Sequence, residues 1–228
     1  MKTAAIIPAG GSGRRMETDQ AKQYLLLDGT PILVHTLKIF QVTHLVDDII
    51  LVVPAGDIPS VKEMIEGRYG LSKVRTILPG GKERQDSVKN GLDTVGSDYD
   101  IVVIHDAVRC FVSEETIKSA IDGAARYEAV SIGIPIRDTV KKVTPDGVID
   151  QTIAREGLWL TQTPQAFQTA VIKRAYEAAY RDGFYGTDDA QLVERLGIRV
   201  RMLPGAYENI KITTKEDLVM ATRLLKRS

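Results

Sequence analysis

The segment Pro8-Ala9-Gly10-Gly11-Ser12-Gly13-Arg14-Arg15 sets a glycine-rich loop directly against two guanidinium groups, and Lys22 follows one short segment later. Glycines permit positive φ and close backbone approach, so consecutive N–H groups can converge on an anion. Arg14, Arg15 and Lys22 beside such a loop point to a triphosphate. Competing glycine motifs fail letter by letter. A dinucleotide fingerprint begun at Gly11 needs a glycine where Met16 stands, the Walker pattern needs a Gly-Lys-Ser/Thr that is absent, and a nucleophile elbow fails at Arg14. The plainer alternative is a tight strand-to-helix turn with solvated arginines.

Other candidates stand where apolar runs end. Ile101-Val102-Val103-Ile104-His105-Asp106 reads as a buried strand delivering a carboxylate, and Asp106 is the expected ligand of a Mg²⁺ that also binds substrate phosphates. His105 should face away from it, while His35 and His44 lack metal-ligand spacing, so the histidines read as structural. Gly80-Gly81-Lys82-Glu83-Arg84-Gln85-Asp86-Ser87 is a second glycine turn opening a helix, suited to a base, a ribose or a phosphate oxygen. Arg109 and Arg155 are candidate anion contacts, and Thr161 to Gln165 offers hydroxyls and amides. Lys211 sits in a strand-like run with Ile210 and Ile212 facing the other way, which suits a phosphate. Trp159, between Leu158 and Leu160, reads as core or interface.

The elements that must position these groups follow from periodicity. Short β-branched runs at 48–53, 74–78, 101–104 and 129–134 alternate with amphipathic helical stretches, which predicts an α/β fold with a mostly parallel sheet and helices on both faces. Ile117, Ala120, Ile121, Ala124 and Ala125 define one buried helix face, and Val88, Leu92 and Val95 another. Ser113 is the expected N-cap of the first, and Thr213-x-x-Glu216 the expected capping box of a carboxy-terminal helix. The stretch 139–153, two strand-like runs around Thr144-Pro145-Asp146-Gly147, reads as a hairpin arm where a crossover helix is due. A two-stranded ribbon is marginal alone, so a twin arm in a homodimer is the economical partner.

Composition narrows the classes. At 228 residues and 43% hydrophobic, the chain suits one α/β domain, here spanning 1–228 with a β-arm at about 137–156. Thirty basic and thirty acidic residues cancel, which argues against a nucleic-acid partner and for a small phosphorylated one. No apolar run approaches a membrane span, Cys110 has no disulfide partner, and without a signal peptide the expected location is cytoplasmic.

Taken in order, the stretches PAGGSGRRM with KQY, GGKERQDS, HDAVR, RDT, AREGLW, TQTPQ, TDDA and ENIKIT resemble the 2-C-methyl-D-erythritol 4-phosphate cytidylyltransferase family over nearly the whole length. The resemblance implies a Rossmann-like nucleotidyltransferase fold, CTP as co-substrate, Mg²⁺ as metal, and a homodimer whose arms reach into each other's sites. It implies that Arg15 and Lys22 stabilise the transition state, and that Arg155 and Lys211 place the sugar phosphate. Pro8 to Arg14, Gly81, Lys82, Arg84, Ser87, Asp106 and Ala107 would hold the nucleotide. Arg109, Thr139, Thr163 and Thr187 join Arg155 and Lys211 on the second substrate, Thr139 and Arg155 coming from the partner's arm. The chain departs from the usual family pattern at Val108, Cys110, Asp189 and Glu208. Two other readings stay open: a sister enzyme acting on ribitol 5-phosphate, and a non-catalytic nucleotide-binding protein on the same fold.

Overall fold

The computed structural model describes residues 1–10 and 21–226. Gly11, Ser12, Gly13, Arg14 and Arg15, expected to form the loop and its counter-charges, lie outside the described residues. Eleven strands are described: β1 (Thr3–Pro8), β2 (Leu26–Leu27), β3 (Thr30–Pro31), β4 (Asp48–Val53), β5 (Val74–Pro79), β6 (Ile101–Ile104), β7 (Ala129–Pro135), β8 (Val140–Val143), β9 (Ile149–Ile153), β10 (Trp159–Gln168) and β11 (Arg201–Pro204). The α-helices are α1 (Ile32–Val42), α2 (Ile58–Glu63), α3 (Arg84–Thr94), α4 (Glu114–Tyr127), α5 (Thr169–Arg181), α6 (Asp189–Glu194) and α7 (Lys215–Leu225).

A seven-stranded sheet runs β11-β7-β10-β6-β1-β4-β5, parallel except for β10, which is antiparallel to both β6 and β7. From β1 the chain builds outward to β4 and β5, then returns to lay β6 on the other side of β1. The strand order therefore reverses between β1 and β6, and the crevice beyond their carboxyl ends is where ligands bind in open α/β sheets.

Strand alternation explains the two-sided core. On one face Ala5, Ile7, Leu51 and Val103 join Leu37 and Phe40 of α1 and Ile117 and Ile121 of α4. On the other, Ala4, Ile6, Val52 and Ile104 join Val88 and Leu92 of α3 and Ile172 and Tyr176 of α5. Each fully buried Leu or Ile contributes about 2 kcal/mol, so both walls of the crevice rest on rigid layers.

The expected elements at 48–53 and 101–104 match strand for strand, and Ser113 caps α4 by accepting the Thr116 amide at 3.1 Å. Other expectations are corrected. The carboxy-terminal capping box is formed by Thr214 and Asp217, one residue beyond Thr213 and Glu216. Ala125 is exposed and Gly123 takes the inward position, where an added Cβ would meet Leu203 at 2.8 Å. The run around Lys211 is not a strand: Ile212 is buried and Lys211 points out of an irregular segment leading to α7. Trp159 is 37% exposed, so it is not core. Strand β10 accommodates Pro164 at a register shift between Gln162 and Gln165, where the missing N–H disturbs no ladder bond.

The arm is present as β8 paired with β9, a ribbon separate from the main sheet. Val143, Val148 and Ile149 on it are each more than half exposed, as is Leu160 at its root. Among the described residues no helix is long and apolar enough to cross a membrane.

Candidate active site

Asp106 stands two residues beyond the end of β6, and its carboxylate is the charge centre of the crevice. Arg84 Nε donates to Oδ1 at 3.1 Å, Lys211 Nζ to Oδ2 at 2.7 Å, and Arg109 Nε stands 3.7 Å from Oδ2. Burial alone would raise the Asp106 pKa; Arg84, then Lys211 and Arg109, outweigh it and hold the carboxyl well below the usual range. Burial likewise opposes the charge on Arg84, but Asp189 and Asp106 more than restore it. Arg109 is the least satisfied of these cations: burial lowers its pKa and the nearby Asp106 only partly compensates.

These cations arrive from different elements. Arg84 is the first residue of α3, placed there because Glu83 and Asp86 close a capping box around the helix start. Lys211 is brought in by Asn209, which is fully buried: its amide donates to the Thr163 carbonyl at 2.9 Å, and its own carbonyl accepts Arg109 Nη1 at 2.7 Å. Thr163 Oγ1 accepts the Asp106 amide at 3.0 Å, fixing the backbone from β10.

Facing Asp106 across a cleft of about 450 Å³ are Gly10, just after β1, and the Gly80-Gly81 turn. Ser87 lies between these two. Its hydroxyl accepts the Gly81 amide at 3.1 Å and donates to the Glu83 carbonyl at 3.2 Å, and it packs under Gly10, where a Cβ would sit 3.6 Å away. At Gly81 an added Cβ would fall 2.2 Å from Asp86 Cβ, so no side chain fits that turn. Ala9 is held by Gln23, whose buried amide donates to its carbonyl at 2.7 Å, and this sets Lys22 on the cleft wall. Pro8, Ala107 and Lys82 complete the lining.

The structure therefore gathers Pro8, Ala9, Gly10, Lys22, Gly81, Lys82, Arg84, Ser87, Asp106, Ala107 and Lys211 around one cleft, with Arg109 beside Asp106. Of the other described candidates, it does not bring in Arg155, Thr139 or Thr187 from the same chain. Arg155 and Thr139 are exposed on the arm, where Arg155 donates to the Arg137 carbonyl, and Thr187 is exposed with its amide on Gln191 at 2.8 Å. Thr163 is a correction of another kind: its hydroxyl is buried on the Asp106 amide rather than open to the cleft. His105 is fully buried 5.1 Å from Phe40, its pKa pushed down to about 4 by burial.

Sequence reasoning assigned no role to Gln23, Asn209 or Asp189, and took Gln165 only as part of a run offering hydroxyls and amides. Gln165 Oε1 accepts the Asp189 and Ala190 amides at 3.1 and 3.0 Å, capping α6 from β10, and Asp189 Oδ2 accepts Arg84 Nη2 at 2.8 Å. The acidic doublet Asp188-Asp189 before an apolar run was the available signal for that helix start. The buried amides carry no pattern of their own. Among the described residues no group of three or more His, Cys, Asp or Glu side chains could enclose a metal.

The family model for 2-C-methyl-D-erythritol 4-phosphate cytidylyltransferase matches residues 3–227. The curated enzyme of that name from Syntrophus aciditrophicus (strain SB) is 53% identical over 226 residues, covering 99% of this chain and 97% of its own. That from Geobacter metallireducens is 49% identical, with 99% and 98% covered. Among solved structures, the 4-diphosphocytidyl-2C-methyl-D-erythritol synthase of Anaerococcus prevotii has a TM-score of 0.86 at 34% identity over 99% of this chain and 96% of that chain. The 2-C-methyl-D-erythritol 4-phosphate cytidylyltransferase of Thermus thermophilus has a TM-score of 0.83 at 31% identity, with 99% and 100% covered. A sheet that reverses between β1 and β6, a cleft centred on Asp106 and a match along almost every residue lead to one conclusion: the chain belongs to the 2-C-methyl-D-erythritol 4-phosphate cytidylyltransferase family.

Proposed function

We propose that this chain transfers the CMP unit of CTP to 2-C-methyl-D-erythritol 4-phosphate, giving the CDP-linked methylerythritol and pyrophosphate in the non-mevalonate isoprenoid route. The observation that carries it is the family match from residue 3 to residue 227. A phosphate oxygen of the methylerythritol phosphate forms the new bond to the α-phosphorus while the bond from that phosphorus to the bridging oxygen breaks, and pyrophosphate leaves with the electron pair. No covalent nucleophile is required. Transfers of this kind are accelerated mainly by positioning and charge stabilisation, which suits a cleft built from backbone amides, arginines and lysines.

In this reading the two glycine turns cradle CTP through Pro8 to Arg14 and through Gly81, Lys82, Arg84, Ser87 and Ala107. Arg15 and Lys22 meet the charge that grows as pyrophosphate departs. Lys211 and Arg109 order the sugar phosphate from one chain, and Thr139 and Arg155 do so from the arm of a second. What supports the exchanged arm is that both residues are exposed on a ribbon whose Val148 and Ile149 are more than half bare.

Mg²⁺ fits the donor set: a cation that takes most of its oxygens from substrate phosphates needs few protein carboxylates, and Asp106 offers one, buried at a strand end. When bound, it neutralises phosphate charge and polarises the α-phosphoryl group. The enzyme works in the cytoplasm, on no nucleic acid and at no membrane, and the balanced net charge supports the small-molecule role. CTP-dependent release of pyrophosphate with methylerythritol phosphate, compared with ribitol 5-phosphate, tests the reading. Turnover confined to ribitol 5-phosphate, or CTP binding with no turnover on either, would overturn it.

A further inference from the structure

Arg84 could hold Asp106 with two parallel N–H groups, the strongest geometry available to a guanidinium and a carboxylate. It does not. Only Nε reaches Asp106, on Oδ1 at 3.1 Å, while Nη2 is turned to Asp189 Oδ2 at 2.8 Å. Asp189 is itself fixed: it is 1% exposed, its amide donates to Gln165 Oε1 at 3.1 Å, and Tyr176 donates its hydroxyl to Oδ1 at 2.5 Å. Arg109 shows the same pattern, its Nη1 tied to the Asn209 carbonyl at 2.7 Å and its Nε left 3.7 Å from Asp106. Each of these two arginines beside Asp106 is thus held by a second acceptor, and Oδ2 is met at hydrogen-bond distance by Lys211, whose flexible ammonium can withdraw.

We propose that Asp189 is a positioning residue for the cation site: by tethering Arg84 it stops the guanidinium from closing on both oxygens of Asp106, and so keeps Oδ2 available to a divalent cation. The charges agree with this. Asp189 shares the charge of Arg84 with Asp106, so Asp106 is not its sole counter-charge. Without the Asp189 carboxylate, Arg84 keeps Asp106 as its carboxylate partner and swings to grip it bidentately. The inference rests on the reading of Asp106 as the cation ligand.

The test is Mn²⁺ binding in the presence of CTP and the absence of any sugar phosphate, followed by electron paramagnetic resonance or calorimetry so that no turnover is involved. Asp189→Asn is expected to weaken Mn²⁺ binding about tenfold or more, in the range typical of residues that orient a metal ligand. Adding Arg84→Lys, whose single ammonium cannot fork, is expected to recover most of that loss, which a merely structural defect would not allow. Mn²⁺ binding unchanged in Asp189→Asn, or equally weak with Arg84→Lys added, overturns the tether. Should Asp189→Asn not fold, Tyr176→Phe removes only the hydroxyl on Asp189: weaker binding that Arg84→Lys relieves supports the tether, and wild-type binding overturns it. Asp106→Asn separates the two ideas. If it binds Mn²⁺ with CTP as the wild type does, the reading of Asp106 fails; if it loses Mn²⁺ while the Asp189 variants do not, the tether alone fails.

Discussion

Lys211 Nζ and Asp106 Oδ2 meet at 2.7 Å, joining the irregular segment before α7 to the end of a central strand. Lys211 is therefore held on Asp106, and in the proposed reaction a cation or phosphate in the cleft competes with that contact. Lys211→Ala is expected to lower kcat/KM for the sugar phosphate about a hundredfold or more, because a charge-assisted contact to the reacting phosphate is lost. CTP binding without sugar phosphate is expected to change much less. Steady-state kinetics with calorimetry of CTP checks this, and a defect confined to CTP affinity would contradict it.

Ser87 joins the Gly80-Gly81 turn to Gly10 at the end of β1. Ser87→Ala deletes the acceptor of the Gly81 amide and is expected to raise the KM for CTP about tenfold, since losing one hydrogen bond and leaving its partner unsatisfied costs about 1–2 kcal/mol. Gly81→Ala forces a Cβ to within 2.2 Å of Asp86 and is expected to displace the turn, costing about 1–3 kcal/mol of stability and more in nucleotide affinity. Thermal melting with and without CTP separates the two effects.

Much of this was readable in the residues. The strands at 48–53 and 101–104, the Ser113 cap and the arm follow from β-branched runs, cap chemistry and turn residues, all of which act locally. Asp106 was legible for the same reason, as a carboxylate at the end of an apolar strand. Strand β10 was not, because Thr161 to Gln165 is polar and contains Pro164, and it becomes a central strand only by pairing on both sides. The Asp189–Arg84 bridge and the buried amides of Gln23 and Asn209 were hidden too: each is satisfied by a partner distant in sequence, and no local pattern encodes that partner.

The exposed arm sets a prediction about assembly. Val148→Asp with Ile149→Asp is expected to shift the chain from dimer to monomer by light scattering, because both side chains are bare on the isolated ribbon. Mixing Lys22→Ala chains with Arg155→Ala chains is expected to restore activity in hybrid dimers, since one of the two sites regains both residues. No recovery in verified hybrids would contradict a shared site.

Cys110 is buried under α7, and burial pushes its thiol up to about 12. The sign follows: a thiol that ionises less readily when folded adds stability that is complete below the unfolded pKa, about 8.5, and is lost as pH rises toward 12. Native chain at pH 8 is expected to react with a thiolate reagent at least about a hundredfold more slowly than urea-unfolded chain. Cys110→Val is expected to remove part of the alkaline loss of stability, which denaturant melts between pH 8 and 11 would reveal.

The central claim is that CTP lies between the two glycine turns with its phosphates beside Asp106. A crystal structure of the chain with CTP and Mg²⁺ tests it most directly. The account predicts phosphate oxygens on the amides of the two turns, Lys22 turned toward them, and Lys211 released from its 2.7 Å contact with Asp106. A nucleotide bound elsewhere, with Lys211 still on Asp106 and the cleft filled only by water, would contradict it.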